Sequence, residues 1–314
     1  MPIEIKLPTM SGQPVSVNRI IEEFRSRLEG IYPSGEVMQF LYILFEEYLN
    51  WPRTQVHLEQ RTIIPEGKMV LFNKSLEELE KNKPIQYIIG KTWFNGTEIE
   101  VTPDVLIPRP ETEEMNRLIV NENIQRQFLD LSILEIGTGS GCIAIDLKMK
   151  FPFSKITAID SSLPALKIAR INSEKCLVPI DFFQADILDS EEWNQFGAFD
   201  IIVSNPPYVL ESEKKEMHSN VTDYEPDLAL YVPDVDPLIF HRTIGRFAWV
   251  HLLRPGLLYL EINERFGKEI KSLLQSLGFD NVTIIRDFKE KERIVRAEAK
   301  SSMLDTSYWY SINV

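Results

Sequence analysis

The fold is decided by residues 133–145, which read ILEIGTGSGCIAI. The stretch begins with a short apolar run typical of a buried strand and ends with a run typical of a helix. Between them, Gly137, Gly139 and Gly141 stand at alternate positions. Glycine lets the backbone turn tightly and approach a ligand closely, and the first turn of a helix leaves N–H groups without partners. The stretch therefore predicts a strand–loop–helix unit that binds a ligand at its loop.

Around this loop, strand patterns alternate with helix patterns. Strands are predicted at 133–136, 155–159, 180–184, 199–204 and 257–262, helices at 142–150, 164–175 and 266–277, and a closing antiparallel pair at 282–286 and 293–297. This alternation is typical of an α/β domain, in which helices cover both faces of a mostly parallel sheet.

The first 85 residues predict a small helical domain. Apolar residues recur at helical spacing within 17–28 and 37–49, and a third helix is predicted at 75–81 with Ser75 as its N-cap. No chemical motif is present there, so this bundle either packs or recognises a partner. Next, Asn95-Gly96 lies between two β-favouring runs, which predicts a β-hairpin as the linker to the α/β domain.

Three acidic residues lie at or near the ends of successive predicted strands. Glu135 stands two residues before the first loop glycine, where it would repel a pyrophosphate but accept from an ammonium group. Asp160 can accept from ribose hydroxyls, as the acid of dinucleotide folds does, and Asp186 can contact an adenine amine. S-adenosylmethionine carries all three groups, so it is the expected cofactor. The alternative for Asp160 and Asp186 is a helix N-cap or a solvated loop.

The fourth predicted strand ends in the tetrapeptide Asn205-Pro206-Pro207-Tyr208. Two prolines stiffen this loop, so the Pro206 carbonyl and the Asn205 side-chain oxygen can together accept both hydrogens of one NH2 group. Tyr208 can stack on a planar amide or base. This arrangement suits methylation of a planar nitrogen, for which orientation matters most and neither a metal nor a strong base is needed. The alternative is a merely proline-stiffened strand end.

At these residues the sequence resembles the release factor glutamine methyltransferase family, of HemK or PrmC type. Residues 106–113, LIPRPETE, look like the signature of that family. The resemblance covers nearly the whole chain and implies a seven-stranded, Rossmann-like class I methyltransferase domain. The implied organisation is a helical recognition domain at 1–85, a hairpin linker at 86–105, a methyltransferase domain at 106–300 and an extension at 301–314.

The resemblance implies methyl transfer from S-adenosyl-L-methionine, which leaves S-adenosyl-L-homocysteine, to N5 of the glutamine in the Gly-Gly-Gln loop of class-one peptide chain release factors. Asn205 and the Pro206 carbonyl would hold the glutamine amide, with Pro207 and Tyr208 beside it and Arg109 and Glu111 over the transfer site. The expected cofactor contacts are Glu135, Gly137, Thr138, Gly139, Ser140, Gly141, Asp160, Asp186, Ile187 and Asn205. The segment 223–226 resembles one that ends near the substrate cleft.

Some features allow another interpretation, and others depart from the pattern of the family. Arg109 and the acids Glu111 and Glu113 could form only a salt-linked cap on a helix beginning near Pro110. The closing turn at 286–293 lacks a glycine common in the family, and Ile187 stands where some members carry an aromatic residue. No role is assigned to the extension, which holds Tyr308, Trp309 and Tyr310.

The composition narrows the classes of function. The net charge is -13 and the pI about 5.0, so direct nucleic-acid binding is not expected. The chain has two cysteines, four scattered histidines, and no signal peptide or long apolar run. These features predict a cytoplasmic protein without disulfides, metal or membrane span. A monomer is expected, although no feature of the sequence gives the oligomeric state. A nucleic-acid amino-methyltransferase shares the tetrapeptide and is the alternative enzyme. A cofactor-binding module without catalysis is the alternative from another class.

Overall fold

The computed structural model describes residues 14–299 of the chain, so the predicted extension at 301–314 lies outside the described residues. The described part divides into two compact units, residues 14–90 with 218–224 and residues 91–217 with 225–299. The predicted hairpin falls in the second unit. The domain boundaries given above remain predictions.

The first unit is helical, as the sequence pattern predicts. Its helices are Val17–Leu28, Ser34–Leu49, Arg53–Leu58, Glu66–Leu79, Ile85–Ile89 and the single turn Ser219–Thr222. Two short antiparallel strands, Val15–Ser16 and Ile63–Ile64, pair beside them. The core centres on Phe24, Phe45 and Phe72, whose side chains are fully buried. The ring of Phe72 contacts the other two, with centroid distances of 6.5 Å to Phe24 and 4.8 Å to Phe45.

The predicted N-cap role of Ser75 is wrong. Ser75 lies inside the helix Glu66–Leu79, which begins nine residues earlier than expected, directly after Pro65. Its hydroxyl donates to the Leu71 carbonyl at 2.9 Å, four residues back. The sequence interpretation took a polar residue for a helix start, although Met69 and Phe72 already belong to the buried face of the same helix.

The second unit is built on a seven-stranded sheet. Its strands are β1 Ser132–Ile136, β2 Lys155–Asp160, β3 Asp181–Gln184, β4 Phe199–Ser204, β5 Leu252–Glu261, β6 Asp280–Arg286 and β7 Glu292–Glu298. The spatial order is β6-β7-β5-β4-β1-β2-β3. Strands β1 to β5 run parallel to their neighbours among themselves, and β7 is antiparallel to both β5 and β6. The predicted mostly parallel sheet with a closing antiparallel pair is confirmed.

The order of the strands in the sheet indicates where a ligand crevice lies. From β1 the chain builds outward to β2 and β3, and then returns to the other side of β1 with β4. The carboxyl ends of β1 and β4 therefore diverge at a topological switch point, where open α/β sheets bind ligands. The glycine loop follows β1 and the tetrapeptide follows β4, so both motifs lie at this point.

Helices flank the strands of this sheet. They are Pro110–Asn123, Cys142–Lys150, Leu163–Lys175, Asp227–Leu230, Ile239–His251 and Gly267–Ser276, with 3-10 turns at Ile124–Arg126, Ser190–Gln195 and Glu211–Glu216. A short parallel pair joins Val209–Leu210 to Tyr231–Val232. The helix Ile239–His251 was not predicted, because its aromatic and β-branched residues have weak helix propensity. The helix is stabilised instead by burial of Ile244, Phe247 and Ala248.

The hairpin and the closing turn are both shaped by residues with positive φ. Strands Lys91–Phe94 and Thr97–Glu100 are joined by Asn95 and Gly96, with φ of 46° and 84°, which confirms the predicted two-residue turn. In the turn between β6 and β7, Glu290 adopts φ 61°. A glutamate therefore occupies the left-handed region in this turn, which has no glycine.

Within residues 14–299, no helix is both long and apolar enough to cross a membrane. The same residues include no group of three or more His, Cys, Asp or Glu side chains arranged to hold a metal ion.

Candidate active site

A cavity opens at the switch point and lies wholly within the second unit. Its volume is about 1170 Å³ with the open mouth included, which suits a nucleoside-sized ligand. The loops after β1, β2, β3 and β4 line it, together with the segment before the helix Pro110–Asn123 and one side of the helix Ile239–His251. The lining includes most of the residues singled out in the sequence: Arg109, Glu135, Gly137, Thr138, Gly139, Ser140, Asp160, Asp186, Ile187, Asn205, Pro206 and Pro207.

The glycine loop is held against β2 by its backbone. The N–H groups of Gly137 and Thr138 both donate to the Ile159 carbonyl, at 2.9 and 3.0 Å. Gly137, Gly139 and Gly141 all have positive φ, at 73°, 54° and 82°. An added Cβ would meet no atom within 4 Å at the first two positions, so backbone conformation alone requires glycine there.

Gly141 differs from the other two glycines because it is outside the lining of the cavity. A Cβ at this position would lie 3.1 Å from the Cβ of Ala169 on the helix Leu163–Lys175. Its small size therefore allows the loop to pack on that helix, and this packing sets where the loop lies at the end of β1.

Glu135 is a buried acid that lines the cavity. Its Oε2 accepts from the Thr138 hydroxyl at 2.6 Å and from the Ala144 N–H at 3.1 Å. Its Oε1 is buried and has no partner among residues 14–299. Burial raises the pKa of this carboxyl to about 8. A buried acceptor of this kind fits a ligand with a cationic group, because a cation would supply the missing partner.

Asp160 and Asp186 lie at the ends of β2 and β3. Asp160 accepts from the N–H of Gly139 at 2.8 Å and from that of Ser162 at 2.9 Å. Burial raises the pKa of its carboxyl. Asp186 is exposed and accepts from the Leu188 N–H at 2.9 Å. The N-cap alternative for Asp160 is wrong, since Ser162 caps the next helix through a bond from the Ala165 N–H.

Ile187 follows Asp186 in the wall of the cavity. Its side chain is buried in the core of the second unit, and its carbonyl accepts from the Trp193 indole N–H at 3.0 Å. An aliphatic side chain therefore forms this part of the cavity wall.

In the tetrapeptide, Asn205, Pro206 and Pro207 line the cavity and Tyr208 does not. The Asn205 amide nitrogen donates to the Thr112 hydroxyl at 3.0 Å. In the described part of the chain, no hydrogen bond reaches the Asn205 side-chain oxygen or the Pro206 carbonyl. Two acceptors therefore remain available beside the cavity.

Tyr208 is anchored through its hydroxyl group. Its hydroxyl donates to Glu261 at the end of β5, at 2.9 Å, and burial raises the pKa of the phenol well above its usual value. The far end of the tetrapeptide is therefore fixed to the sheet.

The segment before the helix Pro110–Asn123 is tied to the loop after the tetrapeptide. Arg109 is ion-paired with Glu225, whose side chain is 1% exposed, and Glu225 also accepts from the Ile107 N–H at 3.3 Å. The salt-linked cap considered for Arg109 is wrong: Glu111, outside the cavity lining, pairs with Lys289 at 2.8 Å, and Glu113 pairs with Arg117 at 3.1 Å. The structure brings together Arg109, which lines the cavity, and Glu225, which is buried outside the cavity lining.

Thr112 and Glu261 are bonded to the tetrapeptide, and the sequence analysis assigned neither of them an individual role. Thr112 Oγ1 donates to Glu261 Oε2 at 2.7 Å, and both side chains are buried behind the tetrapeptide. Glu261 is the last residue of its strand, as Asp160 is, and Glu135 stands one residue before the end of its strand. This shared position was the available signal. The signal was not used because no glycine or proline motif follows Glu261.

Known families match both units. Residues 19–90 match the model described as PrmC N-terminal domain, and residues 115–223 match the model described as Methyltransferase small domain. Two curated relatives are both named Release factor glutamine methyltransferase. The relative from Flavobacterium psychrophilum is 42% identical over 275 residues, which are 87% of this chain and 96% of the relative. The relative from Bacteroides thetaiotaomicron is 42% identical over 282 residues, 90% of this chain and 99% of the relative. With identity at this level over nearly the full length of both relatives, the chain belongs to the release factor glutamine methyltransferase family.

Proposed function

We propose that this chain methylates the side-chain amide nitrogen, N5, of the glutamine in the Gly-Gly-Gln loop of class-one peptide chain release factors. The methyl donor is S-adenosyl-L-methionine, and S-adenosyl-L-homocysteine is the co-product. The observation that carries the proposal is the arrangement of Asn205. Its nitrogen is held by Thr112, while its oxygen and the Pro206 carbonyl accept no hydrogen bond from residues 14–299. Two such acceptors can receive both hydrogens of one amide NH2 group.

The residues of the tetrapeptide act by orientation. When bound, the cofactor supplies a methyl group on a positively charged sulfur. Asn205 and Pro206 hold the amide so that its nitrogen faces this methyl group, which offsets the poor nucleophilicity of a delocalised lone pair. The amide nitrogen would take the methyl group as its bond to sulfur breaks, S-adenosyl-L-homocysteine would leave, and the amide would lose one proton to solvent. The Pro206-Pro207 pair keeps the acceptors from moving during transfer.

The other acids at the crevice suit the remaining groups of the cofactor. Glu135 would accept from the ammonium of the methionine portion through its unpartnered Oε1. The loop from Gly137 to Gly141 would lie against the same portion. Asp160 would accept from the ribose hydroxyls, because each carboxylate oxygen has a second lone pair beyond its present bond. Asp186 would contact the adenine amine, and Ile187 would pack on the ring.

On the substrate side, Arg109, Glu111 and the ring of Tyr208 would flank the glutamine, and the helical unit would recognise the release factor. The pairing of Arg109 with Glu225 supports this role, since it positions the segment before the helix Pro110–Asn123 at the cavity. A release factor substrate implies action in the cytoplasm. The chain is proposed to act as a monomer.

The proposal is tested by methyl transfer from labelled S-adenosylmethionine to a purified class-one release factor. The matched control is the same factor with the loop glutamine changed to alanine. We expect label on the first and none on the second. Label on both would overturn the choice of residue. Label only on DNA or RNA would replace the glutamine function with a nucleic-acid amino-methyltransferase.

A second experiment tests the tetrapeptide in the same assay. We expect Asn205→Ala to lower kcat by about 100-fold or more, because it removes one of two acceptors that orient the amide. Binding of S-adenosylmethionine, measured by calorimetry, should change little. Unchanged kcat in this variant would overturn the role given to Asn205.

A further inference from the structure

A directed chain of hydrogen bonds lies behind the tetrapeptide. The Asn205 amide nitrogen is 3.0 Å from Thr112 Oγ1, which is 2.7 Å from Glu261 Oε2. Thr112 is 2% exposed and Glu261 1%, so water has little access to either side chain. All three side chains belong to the second unit and come from different elements: the loop after β4, the helix Pro110–Asn123 and the end of β5.

The direction of donation along these hydrogen bonds determines which end of the Asn205 amide faces the cavity. A hydroxyl has one hydrogen, so Thr112 can donate either to Glu261 or to Asn205 but not to both. Donation to Glu261 leaves the Thr112 oxygen to accept from the Asn205 nitrogen. The Asn205 oxygen is then left for the cavity. If Thr112 donated instead to Asn205, the amide would turn over and present its NH2 group, which cannot accept from a substrate NH2.

We propose that Glu261 is a positioning residue for methyl transfer, which acts through Thr112 to keep the side-chain oxygen of Asn205 directed at the substrate amide. The inference rests on the role proposed above for Asn205. Glu261 also accepts from the Tyr208 hydroxyl at 2.9 Å, so one carboxyl group holds both ends of the tetrapeptide. The backbone carbonyl of Glu261 is itself bonded by the His241 imidazole at 3.0 Å, which fixes the end of β5.

The role requires an acceptor oxygen and not a negative charge. Burial raises the pKa of the Glu261 carboxyl, while the bonds from Thr112 and Tyr208 and the nearby Arg293 oppose the rise. A neutral carboxyl would keep its carbonyl oxygen for Thr112 and turn its hydroxyl toward Tyr208, whose oxygen can accept. A glutamine at this position can do the same with its carbonyl and amide ends. A methionine of similar volume can do neither.

The test compares variants that keep the acceptor with variants that remove it. Glu261→Met and Thr112→Val interrupt the series of hydrogen bonds from Asn205 to Glu261. We expect each variant to lower kcat by about 10- to 100-fold, the effect of a mispositioned hydrogen-bonding group. Glu261→Gln and Thr112→Ser preserve the series and should keep kcat within about threefold of the wild type. The KM for the release factor and the Kd for S-adenosylmethionine should move far less than kcat in all four.

A matched control separates positioning from general damage to β5. Tyr259, on the same strand, donates a hydrogen bond from its hydroxyl to Glu122 at 2.6 Å. This bond is not one of the hydrogen bonds that link Asn205 to Glu261. Tyr259→Phe removes a hydroxyl–carboxyl bond without touching Thr112 or Asn205, so its kcat should equal that of the wild type. Wild-type kcat in both Thr112→Val and Glu261→Met would overturn the inference. Equal losses in Glu261→Gln and Glu261→Met would also overturn it, since the charge would then matter.

Asn205→Ala, measured in parallel, distinguishes failure of this inference from failure of the proposed function. If Asn205→Ala is inactive while Thr112→Val is fully active, the hydrogen-bond chain has no positioning role but Asn205 keeps its own. If Asn205→Ala is fully active, the role of Asn205 fails and this inference fails with it. If Glu261→Met does not fold, Thr112→Val and its serine counterpart decide the result, because neither variant removes the buried carboxyl.

Discussion

Glu135 shows how one buried side chain links the fold to ligand binding. It is the next-to-last residue of the apolar strand β1, where a carboxyl group is costly to bury. Two hydrogen bonds satisfy Oε2, but Oε1 has no partner among residues 14–299. The resulting pKa of about 8 means that this carboxyl holds its proton at neutral pH until a cation replaces it.

We therefore predict that binding of S-adenosylmethionine releases a proton and tightens as the pH rises. Between about pH 5 and 7 the ammonium of the cofactor stays mostly charged, whereas Glu135 must ionise to accept from it, so Kd should fall by up to about tenfold per pH unit. Calorimetry in buffers of different ionisation enthalpy measures both effects. Glu135→Gln should bind more weakly with a flat pH dependence. A flat dependence in the wild type would contradict this account of the site.

Gly141 has a structural requirement of its own, because its φ is 82° and its Cβ would crowd Ala169. We predict that Gly141→Ala lowers the free energy of unfolding by about 1–3 kcal/mol, through backbone strain and displacement of the helix. Gly197→Ala is the matched control, since a Cβ there meets no atom within 4 Å and no positive φ is involved. Denaturant titration measures both variants. Equal effects at the two positions would show that packing on Ala169 is unimportant.

At the scale of elements, the site is assembled where strand ends and connecting segments meet. Arg109 begins the helix Pro110–Asn123, and Glu225 lies in the connection after the tetrapeptide. Their ion pair joins two segments separated by 116 residues in the chain. Its carboxylate is almost fully buried, so removal of the arginine would leave a charge without its counter-ion.

For this pair we predict a coupling free energy of about 1–3 kcal/mol in a double-mutant cycle with Arg109→Ala and Glu225→Gln. Arg109→Ala should be the more destabilising single change, because Glu225→Gln leaves no buried charge. The exposed pair Lys155–Asp181, at 3.8 Å, serves as the control and should couple by less than about 0.5 kcal/mol. Urea unfolding gives all the values. Similar coupling in the two pairs would show that burial does not strengthen the first.

At the scale of the whole molecule, acid stability should depend on His241. This side chain is fully buried, its Nδ1 has no partner among residues 14–299, and burial lowers its pKa to about 4. The unfolded chain, with a pKa of 6.5, binds more protons than the folded protein between pH 6.5 and 4. The contribution of His241 to stability is therefore complete above pH 6.5 and is lost as the pH falls.

In the wild type, the free energy of unfolding should decrease as the pH falls from 6.5 to 4. We predict that this decrease is smaller in His241→Gln by up to about 3 kcal/mol. Thermal unfolding across this range measures the difference. His218, which is exposed, provides the control: His218→Gln should leave the pH dependence unchanged. A wild-type profile in His241→Gln would mean that other groups govern unfolding in acid.

Much of the fold could be predicted because its signals are local. The helix Cys142–Lys150 and the strand Phe199–Ser204 were predicted to the residue from apolar periodicity. Predictions failed where a local signal competed with distant packing. Ser75 had the residue type of an N-cap but serves inside a helix, and the helix Ile239–His251 had weak propensity but a buried face.

The sequence by itself determined the hairpin turn at Asn95-Gly96, the glycine loop after β1 and the stiff tetrapeptide after β4. Each follows from backbone conformations that only certain residue types adopt, so neighbouring residues suffice to specify it. Only the tertiary structure decided the partners of those motifs. Thr112 meets Glu261 across 149 residues of chain. The physical reason is that a parallel sheet gathers the carboxyl ends of distant strands at one edge, and no local pattern encodes which side chains will then share a hydrogen bond.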